Sequence, residues 1–259
     1  MKKIIFPILI LATFSSCSSF SQIDQNRATM GITKLIQATT ITDAQMAAYV
    51  ADYITQTDAS NNVCNENSAY TKRLRNLTSG LNDANGIALN FKVYNIRDVN
   101  AFACPDGSIR VYAGLMDIMS DDEVLGVIGH EIGHIANRDS KDAFKNALIT
   151  SAIMDGAAAF SYKATLFSDS SLGALSAAYL EANYSRKQEF AADEYGYNFL
   201  KRIGINPKAM VLALKKLNNL KNSSESSISD VLMQLFSTHP ALEERIKIME
   251  QKARQDGYL

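Results

Sequence analysis

The sequence predicts an α+β domain that is mostly helical and carries one small antiparallel sheet. Three observations support this. From Asp121 to the C-terminus nearly every segment repeats its apolar residues at helical spacing. Between Leu89 and Gly114 the texture changes to short runs rich in β-formers. At 259 residues and 47% hydrophobic, the chain is long enough for one large domain or a domain with a helical appendage. A net charge of −1 gives no basis for nucleic-acid binding.

The first residues stand apart. Met1-Lys2-Lys3 is a short basic start, Ile4 to Phe14 is almost wholly apolar, and small residues follow, so residues 1–16 read as a secretory signal. The apolar run is too short to remain as a transmembrane helix. Phe14-Ser15-Ser16-Cys17 resembles a bacterial lipobox with Phe in place of the usual Leu. Cys17 is then an acylated first residue and a lipid anchor, the alternative being an ordinary signal with a chance Cys. Residues 17–29 read as a polar tether, and residues 30–259 as a single domain.

Within that domain, helical spacing runs from Met30 to about Thr57, with Thr42-Asp43 able to restart the helix. A polar loop, residues 60–67, carries Cys64, and a helix then reaches about Thr78. Ser79-Gly80 and Asn85-Gly86 are turn signals. Residues 89–96, 99–105 and 108–114 read as three strands of an antiparallel sheet, the last two joined as a hairpin through Pro105-Asp106-Gly107. Ser120 caps a helix expected to end near Asn137. Residues 143–160 read as a buried helix and 161–174 as a loop beside the site. Further helices are expected at about 175–203, 207–218 and 240–256, with a Ser-rich loop at 222–228. In an exported protein the two remaining cysteines, Cys64 and Cys104, invite a disulfide closing a loop of about 40 residues, worth on the order of 4 kcal/mol. The alternative is two separate buried thiols.

The chemistry begins at His130-Glu131-Ile132-Gly133-His134, the pattern H-E-x-x-H. Two histidines four apart on a helix can share a zinc ion, with the glutamate as base. The flanks are apolar, and burying two imidazoles and a carboxylate without partners is costly. Gly126, Gly129 and Gly133 weaken the helix by about 1 kcal/mol each, a cost explained if a backbone or substrate approaches closely. A catalytic zinc takes three protein ligands. The continuation that supplies a third His from the same segment fails, because its Gly and His positions hold Asn137 and Ser140. Of the downstream glutamates Glu181, Glu189 and Glu194, only Glu189 has an acid one turn on, Asp193, which could orient a ligating His.

Four segments, "NAFACPDGSIRVYAGLMD", "GVIGHEIGHIANRD", "SRKQEFAADEYG" and "STHPALEERI", resemble in order the HtpX and CAAX-prenyl-protease family of gluzincin metallopeptidases, over about residues 90–250. With a lipobox, the chain looks like that family's periplasmic lipoprotein branch. The resemblance implies a gluzincin-type fold, one zinc ion held by His130, His134 and Glu189, and Glu131 as general base. It implies that Asn100, Ala101, Phe102 and Ala103 form an edge strand to which a peptide adds, the alternative being a plain structural strand. It further implies unfolded or misassembled envelope proteins as substrates. Ser18 is not an inner-membrane retention Asp, so the outer membrane is preferred over the inner membrane. His239, in Ser237-Thr238-His239-Pro240, is the third and last histidine. It can donate to an oxyanion, occupy the fourth metal position and hold the enzyme silent, or simply cap a helix with Pro240 at its first position. Arg245 and Arg186 can each pair with a site acid or stand as surface charges.

Overall fold

The structure is a computed structural model and describes Ile36, residues 40–158, Tyr179, residues 182–222 and residues 235–259. The signal, Cys17, the tether and the loops expected at 161–174 and 223–228 lie outside the described residues. Among the described residues no helix is long and apolar enough to cross a membrane.

Helix α1 (Asp43–Ser60) starts at a capping box in which Thr42 and Gln45 each accept the other's backbone N–H. Helix α2 (Ala69–Leu77) is capped by Ser68. A short antiparallel pair, β1 (Asp83–Ala84) and β2 (Ile87–Ala88), turns at Asn85-Gly86, both at positive φ. Strands β3 (Asn90–Tyr94), β4 (Ala101–Ala103) and β5 (Ser108–Tyr112) form the main sheet. Then come α3 (Ala113–Ile118), α4 (Asp121–Ala136), α5 (Asp139–Ala158), α6 (Arg186–Arg202), α7 (Lys208–Asn222) and α8 (Leu242–Gln255).

The main sheet is mixed, not purely antiparallel. β4 and β5 form the expected hairpin, but β3 pairs with β5 in parallel, giving the order β3-β5-β4. Burial explains the order: β5 is buried at all five residues and takes the centre, whereas β3 is partly exposed at an edge. One face of the sheet, with Val93, Ala101, Ala103, Ile109 and Val111, shares a core with Val124, Ile128, Ile132 and Ile135 of α4. On the other face Arg110 forms a two-point ion pair with Asp58 of α1, Nε to Oδ1 at 2.8 Å and Nη2 to Oδ2 at 3.1 Å.

The same strand order overturns the disulfide. Cys64 and Cys104 are free thiols. Val63 bridges Tyr94 on the outer side of β3, and Cys104 follows β4, so β3 and β5 stand between them. Three strand spacings come to about 14 Å, twice the Cα separation of about 7 Å that a disulfide tolerates. Burial pushes the Cys104 thiol pKa up.

Two helix starts also differ from expectation. α6 begins at Arg186, not near Leu175, because Ser185 and Gln188 form a capping box and Ala182–Ser185 is non-helical. Pro240 is not the first residue of α8, which starts at Leu242 with Ala241 as N-cap at φ 62°. His239 instead closes a helical turn, its N–H donating to Leu235 O at 3.0 Å.

α4 and α6 pack with almost touching backbones. A Cβ on Gly129 would stand 2.6 Å from the Phe199 ring and 3.0 Å from the Gly196 Cα; one on Gly133 would stand 3.0 Å from the Ala192 Cα. These α4 glycines admit another backbone, and that approach brings the two halves of the site together.

Candidate active site

α4 presents His130 and His134 one turn apart on a buried face, and α6 presents Glu189 and Asp193 in the same way. Packed together, they point three donor groups at one place, and the turn ending at His239 adds a fourth. One ligand atom from each of His130, His134, Glu189 and His239 lies within 4.8 Å of all the others. His134 Nε2 is 3.0 Å from His130 Nε2 and 3.3 Å from Glu189 Oε1. His239 Nδ1 is 3.1 Å from Glu189 Oε1 and 3.4 Å from His130 Nε2. Ligands about 2.05 Å from a tetrahedrally coordinated ion stand roughly 3.3 Å apart, so the spacing of the set fits a divalent metal.

The surroundings fix which nitrogens face inward. His130 Nδ1 meets Asp193 Oδ1 at 2.9 Å, and His134 Nδ1 meets Asp139 Oδ2 at 3.0 Å. An ionised carboxylate only accepts, so each Nδ1 carries a proton and each Nε2 is the nitrogen turned to the centre, able to offer its lone pair to a metal once its own proton is lost. Arg245, 3% exposed, neutralises this buried acid cluster. Its Nε and Nη2 bond Asp193 at 2.7 and 2.6 Å, and its Nη1 faces Glu189 Oε2. The resulting field acts differently on neighbouring groups. Burial and the Arg245 charge lower the His130 pKa. Burial opposes charge on His134, but Asp139 and Glu189 overcome it and push the pKa up to about 9. Burial would raise the Glu189 pKa, yet His239 and Arg245 hold it well below the usual carboxylate range.

Glu131 is 3% exposed, and its Oε2 is buried with no hydrogen-bond partner among the described residues. It stands between two cavities. One is apolar, bounded by Val127, Met210, Leu214, Leu217 and Phe236, with His130 at its edge. The other is a cleft between β4 and the two segments bearing Tyr184 and His239, with Asn100, Ala101, Phe102 and Ala103 along its wall.

The structure thus brings together the six residues expected at the metal, His130, Glu131, His134, Glu189, Asp193 and His239, and sets the strand beside them. Arg245 is a site residue, whereas Arg186 is an exposed partner of Glu244 at 3.5 Å. Neither Cys64 nor Cys104 is among the metal donors. Two contributors escaped the sequence. Asp139 lies five residues after His134, off the helical i+4 position, and reaches it because Arg138 turns the chain at φ 65°. Tyr184 stacks on His134 with centroids 3.8 Å apart and planes at 9°; an aromatic residue just before a helix cap carries no local signal of this.

Comparison with known proteins agrees with the geometry. The sequence model of Peptidase family M48 matches residues 68–253. The chain is 33% identical over 258 residues to Metalloprotease LoiP of Escherichia coli (strain K12), covering 99% of this chain and 98% of that one. It is 35% identical over 235 residues to Metalloprotease YcaL of the same strain, covering 90% of each. A Protease HtpX homolog of Methanopyrus kandleri is 32% identical over 190 residues, covering 60% of this chain and 57% of its own.

Proposed function

The chain belongs to peptidase family M48, and from that premise we propose that this metallopeptidase is a zinc-dependent endopeptidase of the bacterial envelope, cutting unfolded or misassembled proteins. One observation carries the reading: two inward-facing Nε2 atoms and the Glu189 carboxylate converge beside Glu131, whose buried Oε2 has no partner among the described residues. Three nitrogens and a carboxylate suit zinc. When bound, zinc supplies Lewis acidity that lowers the pKa of water and polarises a carbonyl.

The chain's own groups do the rest. Glu131 takes a proton from the attacking water and delivers it to the leaving amine. Asp193 and Asp139 hold the His130 and His134 rings in one tautomer, and Arg245 keeps Glu189 and Asp193 ionised. The Asn100–Ala103 strand receives an extended peptide through backbone bonds, which read little side-chain information and suit unfolded substrates. His239 Nδ1 stands among the metal donors, which favours the silencing role over oxyanion donation in this conformation. The basic and apolar start ending at Cys17 supports an exported, lipid-anchored protein facing the periplasm, with the outer membrane preferred.

The test is digestion of casein or a denatured outer-membrane protein by wild type and Glu131→Gln, both zinc-loaded. Products from wild type alone are expected. Equal products from both, or none from either, would overturn the endopeptidase and leave a zinc-binding chaperone or scaffold.

A further inference from the structure

The backbone polarity of β4 follows from its register with β5. Cys104 N–H donates to Ser108 O, and Tyr112 N–H donates to Asn100 O, so Asn100, Phe102 and Cys104 address β5. Ala101 and Ala103 therefore turn their N–H and C=O groups to the open side, into the cleft. Two of these four groups are already taken. Ala101 N–H donates to the Asn100 Oδ1 at 2.8 Å, and Ala103 C=O accepts the Tyr179 hydroxyl at 2.5 Å. Ala101 C=O and Ala103 N–H have no partner among the described residues.

Tyr179 is firmly seated. It is 6% exposed and packs edge-on against Tyr53 and Phe144, with centroids 5.4 and 5.1 Å away. It lines the cleft where Ala103 does, whereas the apolar cavity beside His130 meets β4 at Ala101. The two ends of the strand are thus unlike.

Taking β4 as the substrate strand, as proposed above, we infer that Tyr179 is a positioning residue that ends the substrate strand. Its hydroxyl fills the last outward acceptor, so a peptide makes two backbone bonds, one to Ala101 C=O and one to Ala103 N–H. Backbone pairing has no register of its own. In every register a peptide N–H comes opposite the Ala103 carbonyl, and the Tyr179 hydroxyl already holds that acceptor. The hydroxyl therefore removes one backbone bond from the Ala103 end of any bound peptide.

The experiment uses the zinc-loaded full chain and a peptide that wild type cleaves, extended at either end. Tyr179→Phe keeps the ring packing and frees the Ala103 carbonyl. KM is expected to fall about three- to tenfold, the worth of one hydrogen bond, for the extension that passes Ala103 and not for the other. A second measurement needs no variant. In wild type, N-methylation of the amide facing Ala101 C=O should raise KM, while N-methylation of the amide facing Ala103 C=O should not. Sensitivity at both amides in wild type, or equal KM changes for both extensions in Tyr179→Phe, would overturn the proposal. Absence of Glu131-dependent cleavage by wild type would overturn the endopeptidase reading and this one with it.

Discussion

Asp58→Asn tests the brace that holds α1 against the sheet. Arg110 is 1% exposed at the centre of β5, and Asp58 is the carboxylate that pairs with it. The substitution disrupts the two-point ion pair at Nε and Nη2, leaving only Nη1 with Asn90 and the Ile109 carbonyl. Asp58 also accepts from Lys92 Nζ and the Tyr94 hydroxyl, each at 2.7 Å. A buried guanidinium without its counter-charge costs about 3–5 kcal/mol, and urea unfolding at pH 7 should show a loss of that size. The pH dependence has a definite sign. Burial would raise the Asp58 pKa, but Arg110, Lys92 and Tyr94 hold it below the ordinary value. Its stabilisation is therefore complete above the unfolded aspartate pKa of about 3.9 and is lost as pH falls through the lower folded value. The gap between wild type and Asp58→Asn should narrow below pH 4. Replacing both partners, Asp58→Leu with Arg110→Met, should cost less than Asp58→Asn alone, because no charge is left buried. A loss under 1 kcal/mol for Asp58→Asn, or a double variant worse than the single, would refute the reasoning.

Other outcomes follow from the site. Asp139→Asn should weaken zinc binding about 10- to 100-fold while circular dichroism stays unchanged; competition against a chelator measures it. His239→Ala should raise peptidase activity if His239 silences the enzyme, whereas a fall of about 100-fold or more would assign it to the oxyanion. Gly129→Ala should lower stability by about 1–3 kcal/mol in urea, since its Cβ meets the Phe199 ring at 2.6 Å. The same variant should lose zinc affinity as α4 is pushed from α6. Unaltered stability and affinity would mean that the helix pair repacks freely.

Much of the site was legible because the relevant signals are local. The helix carrying His130 and His134 is announced by Ser120 and Glu123, which form the capping box found at its start. Glu189 and Asp193 could be paired on one face from their spacing alone. Ser185 and Gln188 offer the same kind of cap for α6, but helical spacing continues upstream of them and puts the expected start near Leu175, eleven residues before Arg186. The sheet is mixed because β3 and β4, neighbours in sequence, are separated in space by β5. β5 enters the middle only because both of its faces find cover, one from the α4 core and one from Asp58 on α1.

By itself, then, the sequence determined the helices, their caps, the H-E-x-x-H face and the acidic face that complements it, since each depends on residues within a turn or two. Tertiary structure alone decided the strand order, the separation of Cys64 from Cys104, the Asp139 and Tyr184 contacts on His134, the burial of Arg245, and the entry of His239 among the metal donors. The Asp139 contact depends on the turn at Arg138, and the others on which surfaces meet far along the chain, 50 residues apart for His239 and Glu189 and 115 for Arg245 and His130. That meeting is governed by shape, above all by the bare backbone at Gly129 and Gly133, where α6 comes close enough to share an ion.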